Sequence, residues 1–172
     1  SVVPGPCAAI AALAVSGLFT AKFVFEGFLS TATGERRESL ERLKSETRTI
    51  LLYEAPHKLK TTLADLEKAL GDRKISLCRE LTKLNEEILR TTLSEAVTYY
   101  ENTAPRGEYV LVIEGASEKE AKEAAFWADM TEREHVSYYT DRGMTKSDAI
   151  KQTARDRGVG KSEIYNIVMK KD

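Results

Sequence analysis

The sequence has few metal-binding residues and no long apolar run. Its only histidines are His57 and His135, and its two cysteines, Cys7 and Cys78, lie far apart. These four residues do not have the spacing of a zinc or iron–sulfur site, so we expect no metal site and a protein of the reducing cytoplasm. The apolar stretch from residue 7 to residue 19 is too short to span a bilayer and has no basic segment before it. We therefore expect neither a membrane helix nor a signal peptide.

The sequence also lacks an excess of charge of either sign. Its 26 basic and 27 acidic residues give 172 residues a formal net charge of -1. A nucleic-acid-binding protein of this composition must use a local basic patch, because the chain as a whole has no basic footprint. The 42% of hydrophobic residues is enough for a buried core and excludes a disordered chain.

The first part of the chain alternates between short β-rich segments and amphipathic helices. This alternation predicts an α/β fold with a sheet of about five strands flanked by helices. Leu59, Leu63, Leu66 and Leu70 share one face of a predicted helix that ends at Gly71. The predicted strands are residues 23–25, 49–53, 75–78, 87–89 and 109–113. Further helices are predicted at residues 6–17 and from about residue 34.

The pattern changes after Gly115. We predict an α/β domain over residues 1–116, a charged helical spacer over 117–130 and a small helical domain over 131–172. Thr131 with Glu134 has the spacing of a capping box, and Thr145 with Asp148 is a related helix start. The predicted helices at 146–157 and from 161 or 162 to 169 are joined by a glycine-containing turn, which is typical of a helix-turn-helix module.

Several blocks, in this order, resemble the tetrapyrrole-methylase superfamily and, within it, the RsmI-type branch. They are Val3-Pro4-Gly5-Pro6-Cys7, Phe23-Val24-Phe25-Glu26-Gly27, Tyr53-Glu54-Ala55-Pro56-His57, Arg79-Glu80-Leu81-Thr82-Lys83 and Gly107-Glu108-Tyr109-Val110-Leu111. The resemblance implies the C-terminal domain of that fold and transfer of a methyl group from S-adenosylmethionine to the ribose 2′-hydroxyl of a cytidine in small-subunit ribosomal RNA. It also implies a homodimer. In the family an N-terminal domain precedes the Val3-Pro4 segment, so we expect that domain as a partner and expect this chain alone to be inactive.

The block from Arg79 to Lys83 follows a predicted buried strand, where α/β sheets bind ligands. Together with the resemblance, this position makes Arg79, Glu80 and Lys83 the candidate catalytic residues. A surface ion-pair cluster is the alternative interpretation of the same residues. The resemblance implies that the cofactor pocket is lined by Pro6, Tyr53, Glu54, Leu81 and Thr82. The single histidine beside it, His57, is more often structural than a general base when no acidic partner is identified.

Two basic segments are candidates for RNA contact. The first contains Arg36 and Arg37 among glutamates, a pattern also typical of a salt-bridged exposed helix. The second contains Lys161 and Lys170 within residues 144–172, where seven basic and four acidic residues leave a local balance of +3. That balance suits phosphate contacts and equally suits a solvated helical tail.

Two other functions remain open. The first is a methyltransferase of the same superfamily that acts on a tetrapyrrole, although the basic tail and the Arg79-to-Lys83 block argue against this substrate. The second is a non-catalytic module for nucleic-acid binding or dimerisation, which would use the helical domain and would need no complete cofactor site.

Overall fold

A computed structural model describes residues 1, 5–123 and 125–170, which form two compact units at residues 1–121 and 122–172. The division lies inside the stretch that the sequence assigns to a helical spacer. Val3 and Pro4 of the quoted linker block lie outside the described residues. The two units are described separately below.

The first unit is a five-stranded mixed sheet with helices on both faces, which confirms the predicted α/β fold. Its helices are α1 (Ala8–Val15), α2 (Thr33–Lys44), α3 (Pro56–Leu70) and α4 (Leu93–Asn102), and the division between the units falls within α5 (Glu118–Glu123). Its strands are β1 (Phe23–Gly27), β2 (Thr49–Glu54), β3 (Lys74–Arg79), β4 (Glu87–Thr92) and β5 (Tyr109–Ile113), in the spatial order β1-β2-β5-β3-β4.

Strand β5 lies at the centre of the sheet and is buried at every residue. It is antiparallel to both β2 and β3, while β1 is parallel to β2. Because its side chains alternate between the two faces, β5 contributes to two hydrophobic cores. Leu111 and Ile113 pack with α3 and α4 residues in the larger core, and Val110 and Val112 pack with α1 residues in the smaller one.

All five predicted strands are present, but helix α4 was not predicted. Its buried residues Leu93, Ala96 and Tyr100 have the three-to-four-residue spacing of an amphipathic helix. Thr92 caps this helix by accepting a hydrogen bond from the Glu95 N–H. The sequence therefore contains the signals of helix α4, the amphipathic spacing and the Thr92 cap, immediately after the residues predicted as strand β4.

The second unit contains α6 (Glu132–Thr140), α7 (Lys146–Arg157) and α8 (Lys161–Met169). The predicted capping box is confirmed, since both Thr131–Glu134 hydrogen bonds are present. Helix α7 ends at Gly158, whose φ of 67° is in the left-handed region that favours glycine. The core of the unit consists of Val136, Ala149, Ile150, Ala154 and Ile164.

Among the described residues, no helix has the length and apolarity needed to cross a membrane.

We predict that Gly115→Ala destabilises the first unit. A β-carbon on Gly115 would lie 2.2 Å from the Thr47 carbonyl oxygen and 2.6 Å from that of Arg48. The Ala116 N–H donates to the Glu46 carbonyl at 2.7 Å, which holds the two segments together. We expect the free energy of unfolding, measured in urea, to fall by about 1–3 kcal/mol or more. Gly34→Ala is the control, because its β-carbon meets nothing within 4 Å; equal losses in both variants would contradict the prediction.

We predict that Ile164→Ala destabilises the second unit by about 2–5 kcal/mol, because this side chain is only 1% exposed in the helical core. The single tryptophan, Trp127, lies in the second unit and stacks on His135, so its fluorescence reports on that unit. Tyr165→Ala on the same helix is the control, since Tyr165 is 48% exposed. An unchanged fluorescence midpoint for Ile164→Ala would show that this core does not hold the unit together.

Candidate active-site cleft

The sheet topology brings three quoted sequence blocks to one edge of the sheet. Strands β2 and β3 run in the same direction and β5 runs between them in the opposite direction. The ends of β2 and β3 therefore lie beside the start of β5, and Tyr109 pairs with both Glu54 and Arg79. Ligand sites in α/β sheets commonly lie at such strand ends.

A cleft of about 670 Å³ opens at this edge. Its apolar lining includes Phe28, Tyr53, Leu81 and Val110, and its polar lining includes residues from the β3–β4 loop and the segment before β5. The volume is within the usual range for small-molecule sites, as is the combination of an apolar wall with a few charged groups.

The loop after β3 has an unusual backbone. Glu80 and Thr82 have φ angles of 49° and 66°, although neither is glycine. Such conformations cost free energy and persist where surrounding contacts hold them. The Glu80 N–H donates to the Glu108 carbonyl at 3.0 Å, and the Thr82 N–H donates to Glu86 Oε2 at 2.6 Å. These bonds fix the direction in which the loop presents its side chains.

Glu80 joins this loop to the segment before β5. Its Oε1 accepts the Glu108 N–H at 2.9 Å and Lys83 Nζ at 3.0 Å. The side chain lies against Gly107, where an added β-carbon would be 2.4 Å from Glu80 Cγ. Gly107 also has a φ of 73°, so glycine suits this position for both space and conformation.

Lys83 is a cation between two carboxylates. Its Nζ lies 3.0 Å from Glu80 Oε1 and 3.2 Å from Glu108 Oε2. Hydrogen bonds to Glu80 and then Glu108 raise the pKa of Lys83 above its ordinary value. The Glu108 backbone N–H, followed by the Lys83 ammonium, lowers the pKa of Glu80. At neutral pH Lys83 is therefore an ammonium, and Glu80 is a weaker proton acceptor than an ordinary glutamate.

The structure places Arg79 and Lys83 at different cavities. Lys83 lines the cleft and Arg79 lines a smaller cavity of about 220 Å³, while Glu80 lies between the two and contributes to both. Side chains alternate along β3, and Cys78 already faces the core on the α1 side. The Arg79 guanidinium lies 3.2 Å from Glu87 Oε2 and 3.3 Å from the Asn85 carbonyl, so it bridges the base of the β3–β4 loop.

The predicted cofactor residues differ in what they present to the cleft. Tyr53 lines it, and its ring centroid lies 5.0 Å from that of Phe25 and 5.7 Å from that of Phe28. Glu54 is 4% exposed, and its carboxylate accepts the Ala55 N–H at 2.8 Å and the Thr62 hydroxyl at 2.5 Å. Both carboxylate oxygens of Glu54 are therefore used in hydrogen bonds within the fold, while Glu54 also contributes to the cleft lining.

Leu81 also lines the cleft and packs against the core on the α1 side. Thr82 is exposed and is not part of the cleft lining, and neither is Pro6, which is exposed before α1. Ala8, at the start of α1, borders the cleft in its place. His57 also lines the cleft and is exposed. Cys78 lines it too, and burial raises the pKa of its thiol, which therefore stays protonated.

The four predicted RNA contacts have different environments. Arg36 is used within the fold, since its Nε lies 2.7 Å from Asp65 Oδ2 and its guanidinium also donates to Thr62 Oγ1 at 3.0 Å. Arg37 is exposed on α2. In the second unit, Lys161 Nζ donates to Ser147 Oγ at 3.4 Å, and Lys170 borders a groove between the helices.

Sequence reasoning did not identify Glu108 or Phe28 as site residues. Glu108 belongs to a quoted block, but its place beside Lys83 depends on β5 pairing with β3. Within the described residues, no group of three or more histidine, cysteine, aspartate or glutamate side chains is arranged to hold a metal ion.

Comparisons with known proteins agree with the quoted blocks. A relative in Halalkalibacterium halodurans, named "Ribosomal RNA small subunit methyltransferase I", is 46% identical over 165 residues, which cover 96% of this chain and 57% of the relative. Relatives of the same name in Bacillus subtilis and Synechocystis are 44% and 41% identical over 95% and 96% of this chain and 56% and 58% of their own lengths. The chain thus spans somewhat over half the length of these curated relatives.

The fold is similar to that of a solved structure described as the methyltransferase CobJ. The match has a TM-score of 0.52 at 19% identity and covers 66% of this chain and 49% of the other. The family described as Tetrapyrrole (Corrin/Porphyrin) Methylases matches residues 1–97. With more than half of its residues inside that match, the chain belongs to the tetrapyrrole (corrin/porphyrin) methylase family.

Proposed function

We propose that the chain forms part of a methyltransferase that acts on small-subunit ribosomal RNA, at the ribose 2′-hydroxyl of a cytidine, with S-adenosylmethionine as methyl donor. One observation carries the proposal. Lys83 is held as a cation in a cleft at the strand ends of a chain that is 46% identical to a ribosomal RNA methyltransferase. The proposal places the protein in the cytoplasm.

The cleft fits the proposed donor in size and character. Its volume of about 670 Å³ is within the range of cofactor sites, and Tyr53, Leu81 and Val110 give an apolar wall for an adenine ring. We assign further nucleoside contacts to Glu54 and Ala55, because both residues line the cleft. When bound, S-adenosylmethionine supplies an electrophilic methyl group on a sulfonium.

The residues of the chain contribute position and electrostatics. The ribose hydroxyl would release its proton to water, which would leave negative charge on its oxygen. That oxygen would then bond to the methyl carbon of the bound donor, while the electron pair of the broken carbon–sulfur bond stays on the sulfur. We propose that Lys83 stabilises the negative charge on that oxygen, because an ammonium that is already held in place needs little reorganisation. Glu80 is a positioning residue, since it holds Lys83 and the Glu108 N–H together. Arg79 supports the same loop from the opposite face of the sheet.

RNA contact is assigned to exposed basic residues, with Arg37 in the first unit and Lys161 and Lys170 in the second. Arg36 is bound to Asp65, so its effect on RNA is expected to be smaller. A homodimer is also part of the proposal, supported by Phe25 and Phe28, which flank Tyr53 and are 48% and 63% exposed. Exposed apolar groups beside a site are typical of a contact with another polypeptide.

The test uses a chimera of this chain with the part of the Halalkalibacterium relative that it does not match. Transfer of labelled methyl from S-adenosylmethionine to small ribosomal subunits is measured, and the modified nucleotide is identified after digestion. We expect a 2′-O-methylated cytidine. Methylation of a base, or of a tetrapyrrole in place of RNA, would contradict the proposed function.

Within that chimera, we predict that Lys83→Ala lowers kcat/KM at least tenfold, because the cation in the cleft is lost. Its melting temperature should change little, since Lys83 is half-exposed. Lys74→Ala is the matched control, because Lys74 is an exposed lysine on β3 with a comparable ion pair, 3.4 Å from Glu114. Arg79→Ala is expected to lower turnover by less. Full activity of Lys83→Ala would contradict the prediction and would show that the Arg79-to-Lys83 block is a surface ion-pair cluster.

We predict that this chain alone binds S-adenosylmethionine with a Kd weaker than about 100 μM and does not methylate RNA. The reason is that the chain spans 57% of the relative, and we propose that the part of the relative that it does not match completes the cofactor site. Calorimetric titration checks the prediction, with the chimera as the positive control. Micromolar binding and methylation by the chain alone would contradict it.

A further inference from the structure

The helical unit contains a basic groove that the proposed methyl transfer does not use. It lies between α6, the start of α7 and the end of α8, and its volume is about 430 Å³. Three cationic side chains border it, those of Arg133, Lys146 and Lys170. Val136 and Val168 form its apolar part.

The rest of the groove also favours an anion. Ser137 and Thr140 contribute to its lining, and no aspartate or glutamate belongs to the lining within the described part of the unit. Lys146 and Lys170 therefore add positive charge to the described lining beside Arg133. A hydroxyl can donate a hydrogen bond to a phosphate oxygen, and an ammonium binds it as a point charge.

Arg133 fixes one side of the groove. Its Nε donates to the Ile167 carbonyl at 3.2 Å and its guanidinium donates to the Lys170 carbonyl at 2.6 Å. These bonds satisfy carbonyl groups at the C-terminal end of α8, where a cation is also favoured by the helix dipole. They hold the backbone of Lys170 at the groove, so less order has to be gained when a ligand binds.

Lys146 and Lys170 are available for a ligand. Both are exposed, and neither forms an ion pair with a carboxylate among residues 5–123 and 125–170. Lys146 Nζ donates a long hydrogen bond to Met169 Sδ at 3.9 Å. Lys146 is the first residue of α7, whose N-terminal N–H groups add positive potential.

Acidic residues of the neighbouring helix starts have other partners. Asp148 Oδ2 accepts the Thr145 hydroxyl at 2.7 Å, and Glu132 lies 2.9 Å from Arg157. Glu134 is held by Thr131 in the capping box. Glu132 is therefore paired with another cation, and neither Asp148 nor Glu134 forms an ion pair with Lys146 or Lys170.

We propose that this groove binds backbone phosphates of RNA, with Lys146 and Lys170 as the contacting cations and Arg133 as the fixed side. The choice of RNA over another polyanion rests on the proposed function. Phosphate contacts of this kind carry affinity and position without reading sequence. The groove is then a docking site that holds RNA to the helical unit.

The test measures the affinity of the full 172-residue chain for a small-subunit ribosomal RNA transcript between 50 and 200 mM KCl, roughly the range over which phosphate contacts are most evident. The variant Lys146→Gln with Lys170→Gln removes two groove cations. The matched control, Lys151→Gln with Arg155→Gln, removes two exposed cations of α7 that do not line the groove. Trp127 fluorescence melts verify that the helical unit stays folded in every variant.

We expect the groove variant to bind more weakly and its slope of log affinity against log salt to shrink by roughly one unit per lysine. The control variant should lose distinctly less. The same loss is expected on an unrelated RNA of equal length, because phosphates are common to both. Equal effects of the two variants, an unchanged slope, or no RNA binding by the unmodified chain would overturn the proposal. Tighter binding of polyglutamate than of RNA would overturn it as well.

The outcomes separate the groove from the proposed function. If the chimera fails to methylate ribosomal RNA while the slopes differ as expected, the groove stands and the proposed function falls. If the chimera is active and both double variants show the same slope, the groove proposal falls and the proposed function stands.

Discussion

The first unit depends on the antiparallel placement of β5 between β2 and β3. Every residue of β5 is buried, and each of its faces supplies a different core. A central strand parallel to β2 and β3 would begin at the other end of the sheet, beside the starts of those two strands. Because β5 is reversed, the segment before it, with Gly107 and Glu108, lies beside the ends of β2 and β3. The same pairing that buries the core therefore also builds the cleft.

The electrostatics of the cleft follow from this placement. Lys83 would have only Glu80 beside it if the segment before β5 lay elsewhere, and its ammonium would be free to move in solvent. The Glu108 N–H and carboxylate instead bring Glu80 and Lys83 into one hydrogen-bonded group. Two non-glycine residues with positive φ are maintained at this point, Glu80 and Thr82, so the contacts offset the conformational cost of the loop. A cation held in this way is suited to stabilising charge more than to transferring a proton.

Local sequence patterns predicted most of the fold and less of the site. Apolar runs located all five strands, and the capping residues located α6 and α7, because these signals act within a few residues of one another. Helix α4 was missed since its first apolar residue directly follows a strand. The direction of β5 is a long-range property, and no periodicity within residues 109–113 encodes it. The assignment of Glu108 to the site could therefore not precede the sheet topology.

Residue type alone did not show what each charged side chain does. Arg79 and Lys83 belong to one short block, yet strand alternation and the loop conformation direct them to different cavities. Arg36 and Arg37 are adjacent, yet only Arg36 is bound to Asp65.

The same distinction decides how the basic tail is interpreted. Its local balance of +3 is small, and counting charges leaves a phosphate site and a solvated surface equally suitable. The described contacts separate them, because Arg157 is paired with Glu132 while Lys146 and Lys170 have no such partner among the described residues and border the same groove. A modest net charge can thus include a local group of cations, since Lys146 and Lys170 border one groove whose described lining contains no carboxylate. For this chain, the pairing state of each cation is a better guide to RNA contact than the number of cations.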